Sequence, residues 1–317
     1  MIAATLAILA GFIALTWSAD RFVEGAAATA KNWGISPLLI GLTVVSIGTS
    51  APEILVSLMS ALQNHVDIAV GNAIGSNIAN IGLVLGITAL IAPLPVKPAL
   101  AKQEIPWLVL VTLVAGACLA NGFLGLLDSL SLLGFLILTL YLMVRWQKNH
   151  PDEPLAEEAV ISGMPSKQAW FKLLSGLIIL LISAQVLVWG AIQIASSLGI
   201  SELVIGLSIV AIGTSLPELA ASVASALKGH HDIALGNIVG SNIFNLLAVL
   251  AMPGLVAPGV LTQSVLFRDY PVMLALTLLV AGLAIFGRKP KFIGRKSGLV
   301  LLSCYCLYGI WLYLQHS

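Results

Sequence analysis

Apolar stretches long enough to cross a hydrocarbon core, about 17–25 residues each, recur ten times along the chain with short polar breaks between them. They lie near 2–31, 37–62, 68–92, 104–120, 125–146, 170–198, 202–227, 233–256, 270–287 and 297–314. This pattern predicts an all-α polytopic membrane protein with ten transmembrane helices. The first stretch has no basic leader and no small-residue cleavage site ahead of a soluble domain, so it reads as a retained helix and not as a signal peptide. The segment 147–169, with Pro151, Asp152, Glu153, Pro154, Gly163 and Pro165, is the one break with soluble composition, and it reads as a linker.

The same pattern is written twice. Residues 41–93 set against 206–258, at a fixed offset of 165 and without gaps, are identical at 29 of 53 positions. Upstream, Ser18-Ala19, Gly25 and Gly34-Ile35-Ser36 recur as Ser183-Ala184, Gly190 and Gly199-Ile200-Ser201. Each copy therefore holds five spans, residues 1–146 and 170–317, joined by the 147–169 linker. An odd number of crossings makes the second copy enter the membrane from the opposite side, so the expected architecture is two inverted five-helix repeats.

Composition agrees, with 59% hydrophobic and 9% charged residues and a mean hydropathy of +1.03. A soluble domain carries about a quarter of its residues as charges. The net charge of +1 matters less than where the basic residues fall. With ten spans, Lys97, Lys167, Lys228, Lys296 and nearly all the others share one face, and Arg268 stands alone on the opposite one. The positive-inside rule then places the linker in the cytoplasm and both termini outside. The expected location is a plasma or inner membrane, with lipid as the surroundings, no nucleic-acid partner and no obligate protein partner. Cys118, Cys304 and Cys306 fall inside spans, away from any histidine or carboxylate, and read as small buried apolar residues.

Candidate chemistry concentrates in GLTVVSIGTSAPE at 41–53 and GLSIVAIGTSLPE at 206–218, followed by DIAVGNAIGSNIAN at 67–80 and DIALGNIVGSNIFN at 232–245. Glu53 and Glu218 lie about halfway along the second and seventh spans, where an ionisable group costs roughly 2.5–3.5 kcal/mol on insertion scales. Neither has a Lys or Arg nearby in sequence, so the natural compensators are a bound cation, a proton, or both in turn. Thr49 and Thr214 stand one helical turn before the acids, with Ser46 a turn further back. Pro52 and Pro217 free the carbonyls of Gly48 and Gly213. In the next span Asn72, Ser76 and Asn80 share a face, as do Asn237, Ser241 and Asn245. Glycines 71, 75, 236 and 240 allow close helix approach. Carboxylate, hydroxyl, amide and carbonyl oxygens form a hard-cation donor set, suited to calcium or sodium.

Other polar residues read as structural. Ser57, Ser60, Ser222 and Ser225 join helices, Asp67 and Asp232 are N-caps, and His65 and His230 are solvated loop residues. Asp20, Arg21 and Glu24 form a local ion pair near the cytoplasmic interface. No HExxH, GxSxG or intramembrane histidine is present, so the chain does not read as an enzyme.

GTSAPE at 48–53, GTSLPE at 213–218 and the paired GSNIAN and GSNIFN motifs resemble the two alpha-repeats of sodium/calcium exchangers of the bacterial type, in the calcium/cation antiporter superfamily. The resemblance implies alternating-access exchange of calcium for sodium, with both ions as transported substrates and no tightly bound cofactor. By motif match it implies that Glu53, Glu218, Thr49 and Thr214 bind calcium. Ser50, Ser215, Ser76, Ser241 and the carbonyls of Ser46 and Ala211 then complete sodium sites. Structurally known members carry an aspartate in place of one of the two asparagines that close the motifs. Here Asn80 and Asn245 are both neutral, which leaves sodium and protons open as the counter-ion.

Overall fold

A computed structural model describes residues 1–149, 163–199, 211–286 and 291–316. Most of the expected linker, the first half of the seventh span (202–210) and Arg288 and Lys289 lie outside the described residues. In chain order the helices are α1 (Ile2–Trp33), α2 (Pro37–Thr49), α3 (Ala51–Leu62), α4 (Val66–Ile91), α5 (Leu100–Leu119), α6 (Leu126–Asn149), α7 (Ser166–Ser197), α8 (Ala211–Thr214), α9 (Leu216–Leu227), α10 (His231–Val256), α11 (Val265–Phe286) and α12 (Arg295–His316). Eight of these are long and apolar enough to cross a membrane among the described residues, and the pair α2 and α3, bent by 44°, makes a ninth. The apolar α9, Leu216–Leu227, is short because the helix breaks at Ser215.

Burial sorts the helices into layers. The apolar windows of α4 and α10 are 78% and 100% buried, against 11% for α12 and 22% for α6 and α7. These two carry the polar residues of the repeated motifs and form the centre. The outer helices present Leu6, Ile13, Ile137, Ile178, Phe286 and Leu307 to the surroundings, an apolar belt far larger than a water-soluble monomer exposes. The chain is an integral multi-pass membrane protein. Cys306 belongs to this exposed surface, and Cys118 and Cys304 are half-buried, so none of the three is the buried residue expected.

Glycines set the closest contacts. A Cβ on Gly176 would stand 2.5 Å from the Phe22 nitrogen, and one on Gly25 would strike the backbone of Leu173, so α1 and α7 pack backbone to backbone. Gly236 and Gly240 do the same for α10 against α2, where a Cβ would meet the Leu38 oxygen at 2.6 Å and the Leu42 oxygen at 2.5 Å. Gly71 and Gly75 have no such neighbour among the described residues; the segment matching α2 in the second copy, 202–210, is outside them. Gly34, at φ 65°, closes α1 in a left-handed cap, with the Ile35 N–H on the Ala30 oxygen.

Contacts follow the repeat from one copy to the other. Strands β1 (Leu94–Pro95) and β4 (Phe292–Ile293) pair antiparallel, and so do β2 (Phe123–Leu124) and β3 (Gly259–Val260), with Leu94 on Ile293 and Leu124 on Gly259. β3 is the copy of β1, so each half lends one strand to the other. Asp67 accepts the Thr262 N–H at 3.0 Å, while its counterpart Asp232 pairs with Lys97, the counterpart of Thr262, at 2.5 Å. The two aspartates are therefore not N-caps. Helices α4 and α10 start two residues earlier than capping by these aspartates requires, with His65 and His230 at the cap position and no side-chain cap bond. The aspartates instead tie one half to the other.

The Lys97–Asp232 side chains are only 12% and 10% exposed, and removing one member of a buried pair typically costs about 3–5 kcal/mol. Asp232→Asn is expected to lower the melting temperature in detergent clearly more than Asp67→Asn, which loses a single hydrogen bond to a backbone N–H. Equal shifts would show that the ion pair adds nothing.

The charges on α1 also differ from expectation. Glu24 pairs with Lys172 of α7 at 2.8 Å and with Lys228 after α9 at 3.0 Å, Asp20 reaches Lys228 at 3.6 Å, and Arg21 lies over the Trp17 ring at 4.5 Å. The triplet Asp20, Arg21 and Glu24 is not a local pair; its acids join three helices that sequence spacing could not bring together.

Candidate ion-binding site

Both glutamates stand at a break in a helix. Ser50, at φ −82° and ψ 6°, separates α2 from α3, and Ser215, at φ −88° and ψ 3°, separates α8 from α9. Pro52 and Pro217 follow in the first turn, where a missing N–H is harmless. Glu53 and Glu218 are then first-turn residues of α3 and α9, so the positive ends of two helix dipoles face the acids. That favours the carboxylates by about 2 kcal/mol at most, well short of the several kcal/mol that burying an ion costs.

Glu53 and Glu218 are both fully buried, and they are close enough to interact electrostatically. Among the described residues neither carboxylate forms an ion pair. Ser50 donates to Glu218 Oε1 at 3.1 Å, a bond from the first copy to the second, and Thr49 lies beside the same carboxylate. Among the described residues, both oxygens of Glu53 and Oε2 of Glu218 have no hydrogen-bond partner. The same is true of the Ser215 and Ser241 hydroxyls and of both side-chain polar atoms of Asn80 and Asn245, all buried. Buried polar atoms without partners are uncommon and expensive, and here they are overwhelmingly acceptor oxygens.

Asn80 and Asn245 open π-helical turns, Asn80–Leu85 and Asn245–Val249, a distortion that often marks functional positions. The Asn80 turn packs against α9, which carries Glu218, and the Asn245 turn packs against α3, which carries Glu53. Ser46 is buried, its hydroxyl donates to the Leu42 oxygen at 2.8 Å, and its carbonyl accepts the Ser50 N–H at 2.9 Å. Ser76 is buried on α4 one turn before Asn80, Thr214 is half-buried at the end of α8, and Ala211 opens that helix. The described contacts join Thr49, Ser50 and Glu218 directly; no hydrogen bond joins Ser76 or Ala211 to the glutamates among the described residues.

The chain has two halves built alike, two buried acids at helix breaks and a hard-oxygen donor set between them. The family profile described as sodium/calcium exchanger protein matches residues 3–145 and 168–314. The chain belongs to the sodium/calcium exchanger family. The putative antiporter CaxA of Alkalimonas amylolytica is 49% identical over 312 residues, spanning 97% of this chain and 98% of that protein. The sodium/calcium exchanger MaX1 of Methanosarcina acetivorans is 32% identical over 347 residues, spanning 97% and 98%. A solved structure of the sodium-calcium exchanger NCX_Mj, soaked with 2.5 mM Na+ and 0.1 mM Ca2+, superposes with a TM-score of 0.83 at 35% identity over 97% of each chain. Like the rest of this exchanger family, the chain is a transporter, a cation antiporter, with ions as its substrates.

Four asparagines do more in this exchanger than sequence spacing suggested. Asn237 accepts from Thr49 at 3.1 Å, and its Nδ2 donates to Ser222 at 2.9 Å and to the Glu218 carbonyl at 3.4 Å. Asn72 repeats this, donating to the Glu53 carbonyl at 3.0 Å and to Ser57 at 3.1 Å. Each thus holds its own copy's glutamate helix in place, and Ser57 and Ser222 are helix-joining residues as expected. Asn77 and Asn242, separated by the repeat offset itself, meet through Asn77 Nδ2 and the Asn242 oxygen at 3.1 Å. Their position in both GSN motifs was the available signal.

Proposed function

We propose that the protein is a secondary antiporter that exchanges calcium for sodium by alternating access. Calcium binds between Glu53 and Glu218, aided by Thr49 and Thr214. Ser50, Ser215, Ser76, Ser241, Asn80, Asn245 and the carbonyls of Ser46 and Ala211 supply further oxygens to sodium. One observation carries the reading: two fully buried carboxylates, one per copy, with three of their four oxygens unpartnered and no cationic side chain bonded to them among the described residues. A cation satisfies that demand and a structural role does not.

The proposed layout is ten spans in two inverted repeats, residues 1–146 and 170–317, with the 147–169 linker in the cytoplasm and both termini outside. Several contacts support it. With ten spans, β1 and β4 fall on the cytoplasmic side and β2 and β3 on the outer side, so each strand pair shares a face. Arg268 reaches Gln315 at the outer face, and Lys228 reaches Glu24 at the inner one. The exchanged partners of Asp67 and Asp232 are what a pseudo-two-fold axis in the membrane plane produces.

A calcium/proton antiporter using the same two glutamates is the second reading, favoured by one fact: Asn80 and Asn245 are both neutral, so two acids that also take protons are the whole fixed charge. Calcium uptake into proteoliposomes under an imposed sodium gradient, compared with an imposed pH gradient, separates them. Uptake is expected under the sodium gradient with pH equal on both sides. Uptake driven only by pH would select the proton reading, and no uptake under either would end both.

A further inference from the structure

We infer that Asn237 is a positioning residue for calcium, holding the end of α2 against the start of α9 so that a divalent ion meets both glutamates at once. The inference rests on the antiport reading and adds to it a residue that acts through the helices and not on the ion.

Gly236 and Gly240 bring α10 against the backbone of α2, and Asn237 stands beside them with its side chain fully buried. At that approach a short amide spans the gap. Its Oδ1 accepts from the Thr49 hydroxyl at 3.1 Å, and its Nδ2 donates to Ser222 at 2.9 Å and to the Glu218 carbonyl at 3.4 Å. A carbonyl can only accept, so Glu218 takes the NH2 end and leaves the oxygen for Thr49. Thr49 closes α2 in the first copy and Glu218 lies in the first turn of α9 in the second. One side chain therefore sets the spacing of the two helix breaks.

Two neighbouring bonds do not replace it. The Ser46 carbonyl, at 3.4 Å from the Thr49 hydroxyl, lies on the same helix and ties nothing across the copies. Ser50 does cross, to Glu218 Oε1 at 3.1 Å, but an arriving cation competes for that oxygen. The Asn237 bonds go to a hydroxyl and a backbone carbonyl, and they stay in place when the carboxylates turn to an ion.

Calcium takes its oxygens at about 2.3–2.6 Å and, when it bridges Glu53 and Glu218, takes them from both copies. It reads the spacing of the helix breaks directly. A sodium ion held by one glutamate and the hydroxyls beside it does not. Asn237 thus bears on the choice between the two ions.

The test is equilibrium binding of radioactive calcium to the purified full chain, with sodium as competitor. Asn237→Leu keeps the size of the amide and removes its bonds. It is expected to raise the calcium Kd about tenfold, with the sodium competition constant, corrected for that Kd, unchanged within about threefold. Thr49→Val should also weaken calcium selectively, and Thr49→Ser, which keeps the hydroxyl, should not. Thr49→Val should add no further loss where Asn237 is already replaced by leucine, because both changes break one bond. Should Asn237→Leu fail to give monodisperse protein, Asn237→Ser, too short to reach Thr49, takes its place with the same expectations. Unchanged calcium affinity, equal losses of calcium and sodium, or additive effects in the double variant would each overturn the inference while leaving antiport intact. Absence of calcium binding by the unmodified chain would instead remove the antiport reading, and this inference with it.

Discussion

Glu53→Gln and Glu218→Gln are each expected to lower initial calcium uptake by at least about a hundredfold. Glutamine keeps the shape and the hydrogen-bonding oxygen but removes half of the site's charge. Removing one partner of a buried ionic arrangement typically costs about 3–5 kcal/mol, and every 1.4 kcal/mol is about a factor of ten in affinity. Folding should not suffer. Both oxygens of Glu53 are buried without a partner among the described residues, so the neutral amide relieves a desolvation cost. The melting temperature without calcium should stay level or rise in either variant. In the unmodified protein calcium should raise it, because a ligand that binds only the folded state stabilises it by about 2.7 kcal/mol at a hundred times its Kd. A variant that unfolds, or one that transports normally, would each contradict the assignment, and the two outcomes are told apart by the melting curve.

Gly236→Ala should have a large effect on folding. A methyl group there would stand 2.6 Å from the Leu38 oxygen, 2.9 Å from the Leu42 nitrogen and 3.1 Å from the Gly41 carbonyl carbon. All three are backbone atoms, so no change of rotamer gives relief and α10 must move off α2. Overpacking of this kind costs about 1–3 kcal/mol or more, and the displaced helices carry Thr49 and Asn237, whose bond at 3.1 Å links the copies. Loss of monodisperse protein in detergent chromatography and a lowered melting temperature are expected. Gly134→Ala is the control. It lies on the exposed face of α6 with no atom within 4 Å of the added carbon among the described residues, and it should be neutral or gain up to about 1 kcal/mol of helix propensity.

Most of what identifies the site was legible in the sequence, because charge in the middle of an apolar span is a physical anomaly and its repetition at a fixed offset multiplies the signal. Glu53, Glu218 and their prolines were found in this way, and the structure sets both acids at helix breaks. Long-range partners were not legible. Sequence spacing suggested that Asp67 and Asp232 cap their own helices, and that Asp20, Arg21 and Glu24 pair locally, whereas their partners lie across the fold. The offset held a usable rule: under a pseudo-two-fold axis, a contact between residues 67 and 262 implies one between 232 and 97, as an isologous interface does between subunits. A single long-range contact would have been needed to start that argument. The π-helical turns at Asn80 and Asn245 left no signal in hydropathy, which does not distinguish a residue added to one helical turn.

The central claim is that calcium and sodium compete for one set of oxygens between Glu53 and Glu218. Equilibrium binding of radioactive calcium to the purified protein, titrated with sodium at constant ionic strength with choline as the balancing cation, tests it most directly. The account predicts a single calcium ion bound per chain, released completely as sodium rises, and no specific calcium binding by the Glu53→Gln, Glu218→Gln double variant. Calcium that stays bound at saturating sodium, or that binds the double variant as tightly as the unmodified chain, would contradict it.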